Sequence, residues 1–172
     1  FKILGLQPNA TEEEIENAIK PNTTCIYIET PINPTMEIVD IEQITKVAKK
    51  HGIPVVVDNT FSSPYLQNPI ELGADFVLHS ATKYINGHGD VIAGILVGRD
   101  KGEMETIRGT VQKDFGGIIS PFDAWLLIRG LKTLHVRMDR HSENASKVFD
   151  FLKAHPSVEH IYYPFDVDNP QY

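Results

Sequence analysis

Four short runs in the first 100 residues are almost wholly apolar: Cys25–Glu29 (CIYIE), Pro54–Val57, Asp75–Leu78 and Ile92–Val97. The first three lead directly into polar residues, the second of them into Asp58. An amphipathic strand alternates apolar and polar residues. A strand that does not alternate is expected to be buried on both faces, the situation of a parallel sheet covered by helices. The stretches between the runs carry helical signals. "TEEEIENAIK" places Glu14 three residues after Thr11, a capping box. "DIEQITKVAKKHG" spaces Ile41, Ile44, Val47 and Ala48 along one helical face, with Asp40 as N-cap and Gly52 as the stop. Alternating strand and helix signals predict an α/β chain with a mostly parallel sheet and crossover helices. From Pro121 the pattern changes to more than 30 helical residues, with Gly130 as a break or bend, and "SVEHIYYP" then reads as a strand. The expected division falls near residue 135: a large-domain core over 1–134, then a linking helix and the start of a second domain over 135–172.

Composition narrows the classes. A hydrophobic content of 41% with 23% charged residues is that of a globular chain and argues against disorder. The net charge of −7 disfavours nucleic acid or an anionic membrane as partner. No apolar run reaches the roughly 20 residues of a membrane span. Cys25 is the single cysteine, so no internal disulfide can form, and a reducing, cytoplasmic setting is expected. The chain starts at Phe1 and stops just after a strand-like run, which reads as a fragment at both ends.

In open α/β sheets, ligands bind beyond the carboxyl ends of the strands. Asn33 follows the first run, Asp58 the second, and Ser80, Thr82 and Lys83 the third ("HSATK"). Pyridoxal phosphate (PLP) needs such a set: an amine for its aldehyde, a carboxylate for its pyridine nitrogen, and donors for its phosphate. Each residue also has a plainer reading. Asp58 and Asn33 suit turns and caps, Ser80 and Thr82 suit local backbone bonds, and Lys83 suits water. The residue pattern leaves these readings open.

Longer stretches carry a resemblance. "YIETPINPTMEIVDI", "VVVDNTFSSPYLQNPIELGAD", "HSATKYINGHGDVIAG" and "SPFDAWLLIRGLKTLHVRMDRHSENA" occur in order between about Cys25 and Ala145. Together they resemble the Cys/Met-metabolism family of PLP-dependent enzymes. The resemblance implies the large-domain core of the fold-type I PLP-dependent transferases (aspartate aminotransferase-like), with helices on both faces of the sheet, plus the start of the C-terminal domain. It also implies that Lys83 is the Schiff-base lysine, Asp58 the pyridinium partner, Ser80 and Thr82 phosphate ligands, and Asn33 a contact near the phenolic oxygen. The implied substrate is a small sulfur amino acid. The implied assembly is a homo-oligomer, an active-site dimer paired into a tetramer. Within the family the spelling around Lys83 and "QKDFGGIISPFDAW" looks most like methionine γ-lyases, with Lys113 and Asp114 near the substrate entrance. Cystathionine γ-lyase, cystathionine γ-synthase and O-acetylhomoserine sulfhydrylase are the alternatives.

Other classes fit less well. A nucleotide-binding sheet predicts a glycine-rich loop after its first strand, which "GLQPNAT" is not. His51, His79 and His88 match no compact metal-ligand spacing and read as surface or site-lining residues. A non-catalytic relic of the fold would not need both Lys83 and Asp58. Cys25 reads as a small core residue, and Arg129, Arg137 and Arg140 as a solvated or salt-bridged helix face.

Overall fold

The computed structural model describes residue 6 and residues 9–169. Its first helix, α1 (Glu12–Ala18), opens with the expected reciprocal cap. The Thr11 hydroxyl accepts from the Glu14 N–H, and the Glu14 carboxylate accepts from the Thr11 N–H at 2.8 Å. Next in the chain come β1 (Ile26–Glu29), α2 (Ile41–Lys50), β2 (Val55–Asp58), the single-turn α3 (Ser63–Leu66) and β3 (Phe76–Ser80). β4 (Gly94–Gly98), α4 (Lys101–Ile107), a π turn at Arg108–Gln112, the short α5 (Lys113–Phe115), α6 (Pro121–Leu131) and α7 (Leu134–Lys153) complete the order. Asp40 caps α2 by accepting from the Gln43 N–H, and Gly52, with φ +63°, takes the left-handed turn that ends it.

The four strands lie side by side in chain order. β1, β2 and β3 are parallel, and β4 is antiparallel to β3. Register and the two-residue pleat sort the side chains into two faces. Ile26, Val55, Val57, Val77 and His79 share one face and are buried. On that side α2 contributes Ile41 and Ala48 to a core completed by Ala74. α1 seals α2 from outside through Ile15, which packs with Ala10 and Val47. Tyr27, Glu29, Asp58, Leu78 and Ser80 share the other face and are only half buried. The apolar strands had predicted helices on both faces; α2 covers one, and Met104 of α4 meets the other beside Gly98 and Phe76, while the strand ends on that face carry polar groups. A second, smaller core of Ala81, Ile85, Val91 and Leu127 lies beyond the end of β3 and joins the turn there to α6.

Three expectations need correction. "SVEHIYYP" forms no strand, because no neighbouring strand is available there to satisfy its backbone groups among the described residues. The fourth strand begins at Gly94, and Ile92, read as part of it, is 91% exposed. Cys25 precedes β1 and is exposed, so it is not a core residue. The long helical stretch does break, but at Lys132–Thr133, just beyond Gly130. The terminal residues 1–5 and 170–172 lie outside the described residues.

Candidate active site

Three parallel strands deliver their last polar residues to one rim. Glu29 ends β1, Asp58 ends β2 directly opposite it, and Ser80 ends β3 on the same face. The Asp58 carboxylate is held at both oxygens. Oδ1 accepts from the Thr60 N–H at 3.0 Å and Oδ2 from the Tyr27 hydroxyl at 3.1 Å. Thr60 also ties the neighbouring strand in, because its Oγ1 accepts from the Ser80 N–H at 2.8 Å. Burial, then the negative Asp58, the hydrogen bond to it and Glu29, push the Tyr27 hydroxyl up to about 12. Tyr27 is therefore a neutral donor at any physiological pH. Burial and then the Asp58 charge raise the Glu29 carboxyl, against a lowering hydrogen bond from the Asn33 backbone. Asn33 itself is exposed, in the loop beyond β1.

After Ser80 the chain turns tightly. The Lys83 N–H donates to the Ser80 carbonyl at 3.1 Å, and the Lys83 carbonyl accepts from the Gly87 N–H at 2.8 Å. Ala81 points into the second core and is fully buried. The Thr82 hydroxyl accepts from the Ala93 N–H at 3.0 Å and reaches the Ala93 carbonyl at 3.3 Å, which ties the turn to the start of β4. Lys83 is exposed, and its amine meets no hydrogen-bond or ion-pair partner among the described residues. The backbone on either side of it is hydrogen-bonded, while the amine itself is uncommitted.

The turn is clamped from behind. A Cβ on Gly130 would lie 2.3 Å from the Asn86 carbonyl, so the end of α6 approaches this backbone as only glycine allows. The guanidinium of Arg137, on α7, donates to the Tyr84 carbonyl at 2.7 Å, the Gly130 carbonyl at 2.9 Å and the Thr133 hydroxyl at 3.0 Å. That overturns the reading of Arg137 as a solvated helix residue; three acceptors hold it inward. Arg140 does pair at the surface, with Glu143, while Arg129 lies over the Trp125 ring. His79 is not surface either: it is 6% exposed, and its Nδ1 has no hydrogen-bond partner among the described residues. The described residues hold no cluster of metal-binding side chains.

Tyr27, Thr60 and Arg137 were not singled out from sequence as site residues. Parity carries a signal for Tyr27, which sits two positions before Glu29 and so shares its face. No sequence pattern marks the contacts that tie Thr60 to Ser80 and Arg137 to Tyr84, which are 20 and 53 residues apart. Away from the rim, a mostly apolar cavity of about 730 Å³ lies between β4 and the α4–α5 segment; it meets β3 at Leu78 and His79. Lys113 and Asp114 pair with each other at 3.4 Å on the exposed α5.

An uncommitted amine, a carboxylate fixed at both oxygens, and a hydroxyl at adjoining strand ends form one donor set. The sequence profile of Cys/Met metabolism PLP-dependent enzymes matches residues 5–172. The chain belongs to this family. It is 52% identical over 161 residues to the L-methionine gamma-lyase of Porphyromonas gingivalis, covering 93% of this chain and 40% of that enzyme. To the cystathionine gamma-synthase of Haemophilus influenzae it is 51% identical over 155 residues, covering 90% and 42%. The crystal structure of cystathionine gamma-lyase from Lactobacillus plantarum, complexed with L-serine, superposes with a TM-score of 0.92 at 48% identity, covering 96% of this chain and 43% of that one. The chain thus spans about 40% of the length of the relatives it matches. By type the set fits PLP, which takes an amine, a carboxylate and a hydroxyl donor, and Lys83, Asp58 and Ser80 are residues of those types around one strand-end rim.

Proposed function

We propose that this chain serves a PLP-dependent carbon–sulfur lyase of sulfur amino-acid metabolism, with methionine γ-lyase as the leading assignment. The reaction is α,γ-elimination: methionine and water become methanethiol, 2-oxobutanoate and ammonia. The observation that carries the proposal is the free Lys83 amine, one tight turn past Ser80, beside a rim whose carboxylate is held at both oxygens. In this reading Lys83 carries the cofactor through its Nζ. Asp58 keeps the ring nitrogen protonated by opposite charge. Ser80 would donate to the phosphate, Thr82 would do so by turning its hydroxyl hydrogen away from the Ala93 carbonyl, and Asn33 would contact the phenolic oxygen. When bound, the cofactor supplies an electron sink that stabilises negative charge on substrate carbon. Lys83 Nζ would hold the cofactor's aldehyde carbon and, with substrate bound, would take the α-proton and deliver protons along the substrate. That work needs a neutral, mobile amine.

The second reading is cystathionine γ-lyase or γ-synthase, favoured by relatives of those names at nearly the same identity as the methionine gamma-lyases. O-acetylhomoserine sulfhydrylase comes behind them. A non-catalytic binding module on this fold is the reading from another class. A division near residue 135, a homo-oligomer built from active-site dimers, and work in the cytoplasm belong to the same proposal. Assembly has support in the exposed Phe122, Trp125 and Ile128 along α6, apolar area that association would remove from water.

Borohydride reduction of the full-length holoenzyme, followed by peptide mapping, tests the site. A pyridoxyl group on Lys83 is expected; an unmodified Lys83 peptide in cofactor-saturated protein would sink the proposal. Turnover of methionine against cystathionine and O-acetylhomoserine then decides the family member.

A further inference from the structure

The Tyr27–Asp58 hydrogen bond links the middle of β1 to the end of β2. Tyr27 pairs in register with Val56 and Glu29 pairs with Asp58, so Tyr27 reaches Asp58 along the diagonal of the face. Such a diagonal is within the span of a tyrosine side chain. The other carboxylate oxygen is taken by the Thr60 N–H, which by itself leaves the group free to tilt about that contact. Glu29, directly opposite on the same face, presents a second carboxylate whose negative charge opposes that of Asp58.

We infer that Tyr27 is a positioning residue for the cofactor: its hydroxyl fixes the plane of the Asp58 carboxylate, directly opposite Glu29. This rests on the assignment of Asp58 as the partner of the ring nitrogen. A hydrogen bond donated to a carboxylate stabilises the ionised form. Held in that plane, Asp58 would present a fixed acceptor to the ring nitrogen. A phenylalanine at 27 would keep the ring packing and remove the donor alone. A phenol that ionises only at about 12 holds its proton across the working range, so the donor never switches off.

The test uses Tyr27→Phe and Asp58→Asn in the full-length enzyme. Three quantities are read: the dissociation constant of PLP, the pH midpoint of the bound cofactor's absorption band, and the thermal midpoint of the apoprotein. Tyr27→Phe is expected to weaken PLP binding roughly tenfold, the scale of one hydrogen bond to a charged group. It is also expected to move the absorption midpoint while leaving the apoprotein's thermal midpoint in place. In an Asp58→Asn background the same change should add nothing further. If Asp58→Asn shifts binding and spectrum but Tyr27→Phe shifts neither, the inference about Tyr27 is overturned and the site assignment survives. If neither variant shifts them, both fall. A Tyr27→Phe effect of equal size on the apoprotein and on cofactor binding reduces Tyr27 to a structural residue and also overturns the inference.

Discussion

The Lys83 side chain differs from the groups around it in having nothing to hold. Ser80, Thr82, Tyr84 and Asn86 are each engaged through backbone or side chain, while the Lys83 amine stands exposed without a partner among the described residues. A lysine retained for stability would be expected to pair with a carboxylate or to lay its stem across an apolar surface. Removing its side chain should therefore change folding little. Lys83→Ala is expected to alter apoprotein stability by no more than about 0.5 kcal/mol, as at surface positions without special contacts. The same variant should lose covalent cofactor attachment completely. Urea unfolding of the apoprotein, set against borohydride trapping of the holoprotein, checks the two halves. A large loss of stability would mean that the lysine has a structural role that the free amine does not suggest.

At the scale of elements, the Lys83 turn depends on how closely two helices approach it from behind. Gly130 lies buried in the last turn of α6, where an added Cβ would fall 2.3 Å from the Asn86 carbonyl and 2.9 Å from that of Ile85. Both are backbone atoms and cannot swing aside, so helix and turn must separate. Gly130→Ala should cost about 1–3 kcal/mol, the range for overpacking a close contact, despite alanine's better helix propensity. Gly109→Ala is the control, since nothing lies within 4 Å of a Cβ there. Its unfolding midpoint should stay level or rise. Gly130 also shows what the sequence made legible. As a glycine in a helical run it reads as a point of discontinuity, but the helix continues through it to Leu131, and its use is a tertiary approach to a turn more than 40 residues earlier. Strand existence, the Thr11–Glu14 cap and the Asp40 cap are local matters and could be read directly. Asp58 and Ser80 could be placed on one rim because they end neighbouring parallel strands, and Lys83 follows three residues beyond. The Tyr27, Thr60 and Arg137 contacts needed register or long-range packing. "SVEHIYYP" went wrong for the opposite reason: strand propensity is there, but a strand requires a neighbour.

For the whole molecule, the perturbed acids and His79 set a pH profile with two stages. Burial holds the His79 pKa below its ordinary 6.5, partly offset by the Asn59 backbone and the Asp58 charge. In the window from 6.5 down to that lowered value the unfolded chain takes up a proton that the folded chain refuses, so stability falls as pH falls. Lower down, four carboxylates act in the same direction. Hydrogen bonds lower Glu14 (from the Thr11 backbone), Glu16 (from His51, then the Lys50 charge), Glu143 (from Lys147) and Asp166 (from Lys153). Their contributions are complete above the ordinary values of 4.5 for glutamate and 3.8 for aspartate, and are lost as pH drops through the lowered folded values. Glu29 runs the other way. Its raised pKa favours the fold in acid; that contribution is complete below 4.5 and disappears as pH rises through the folded value, so it adds stability just ahead of the second stage. The urea midpoint of the apoprotein, followed from about pH 8 to about 3, should therefore decline first below about 6.5 and again below about 4.5. His79→Gln cannot titrate, so it should flatten the first decline and leave the second in place. A first decline unchanged by that substitution would assign the near-neutral loss to another group and leave the buried imidazole without influence on the fold's pH range.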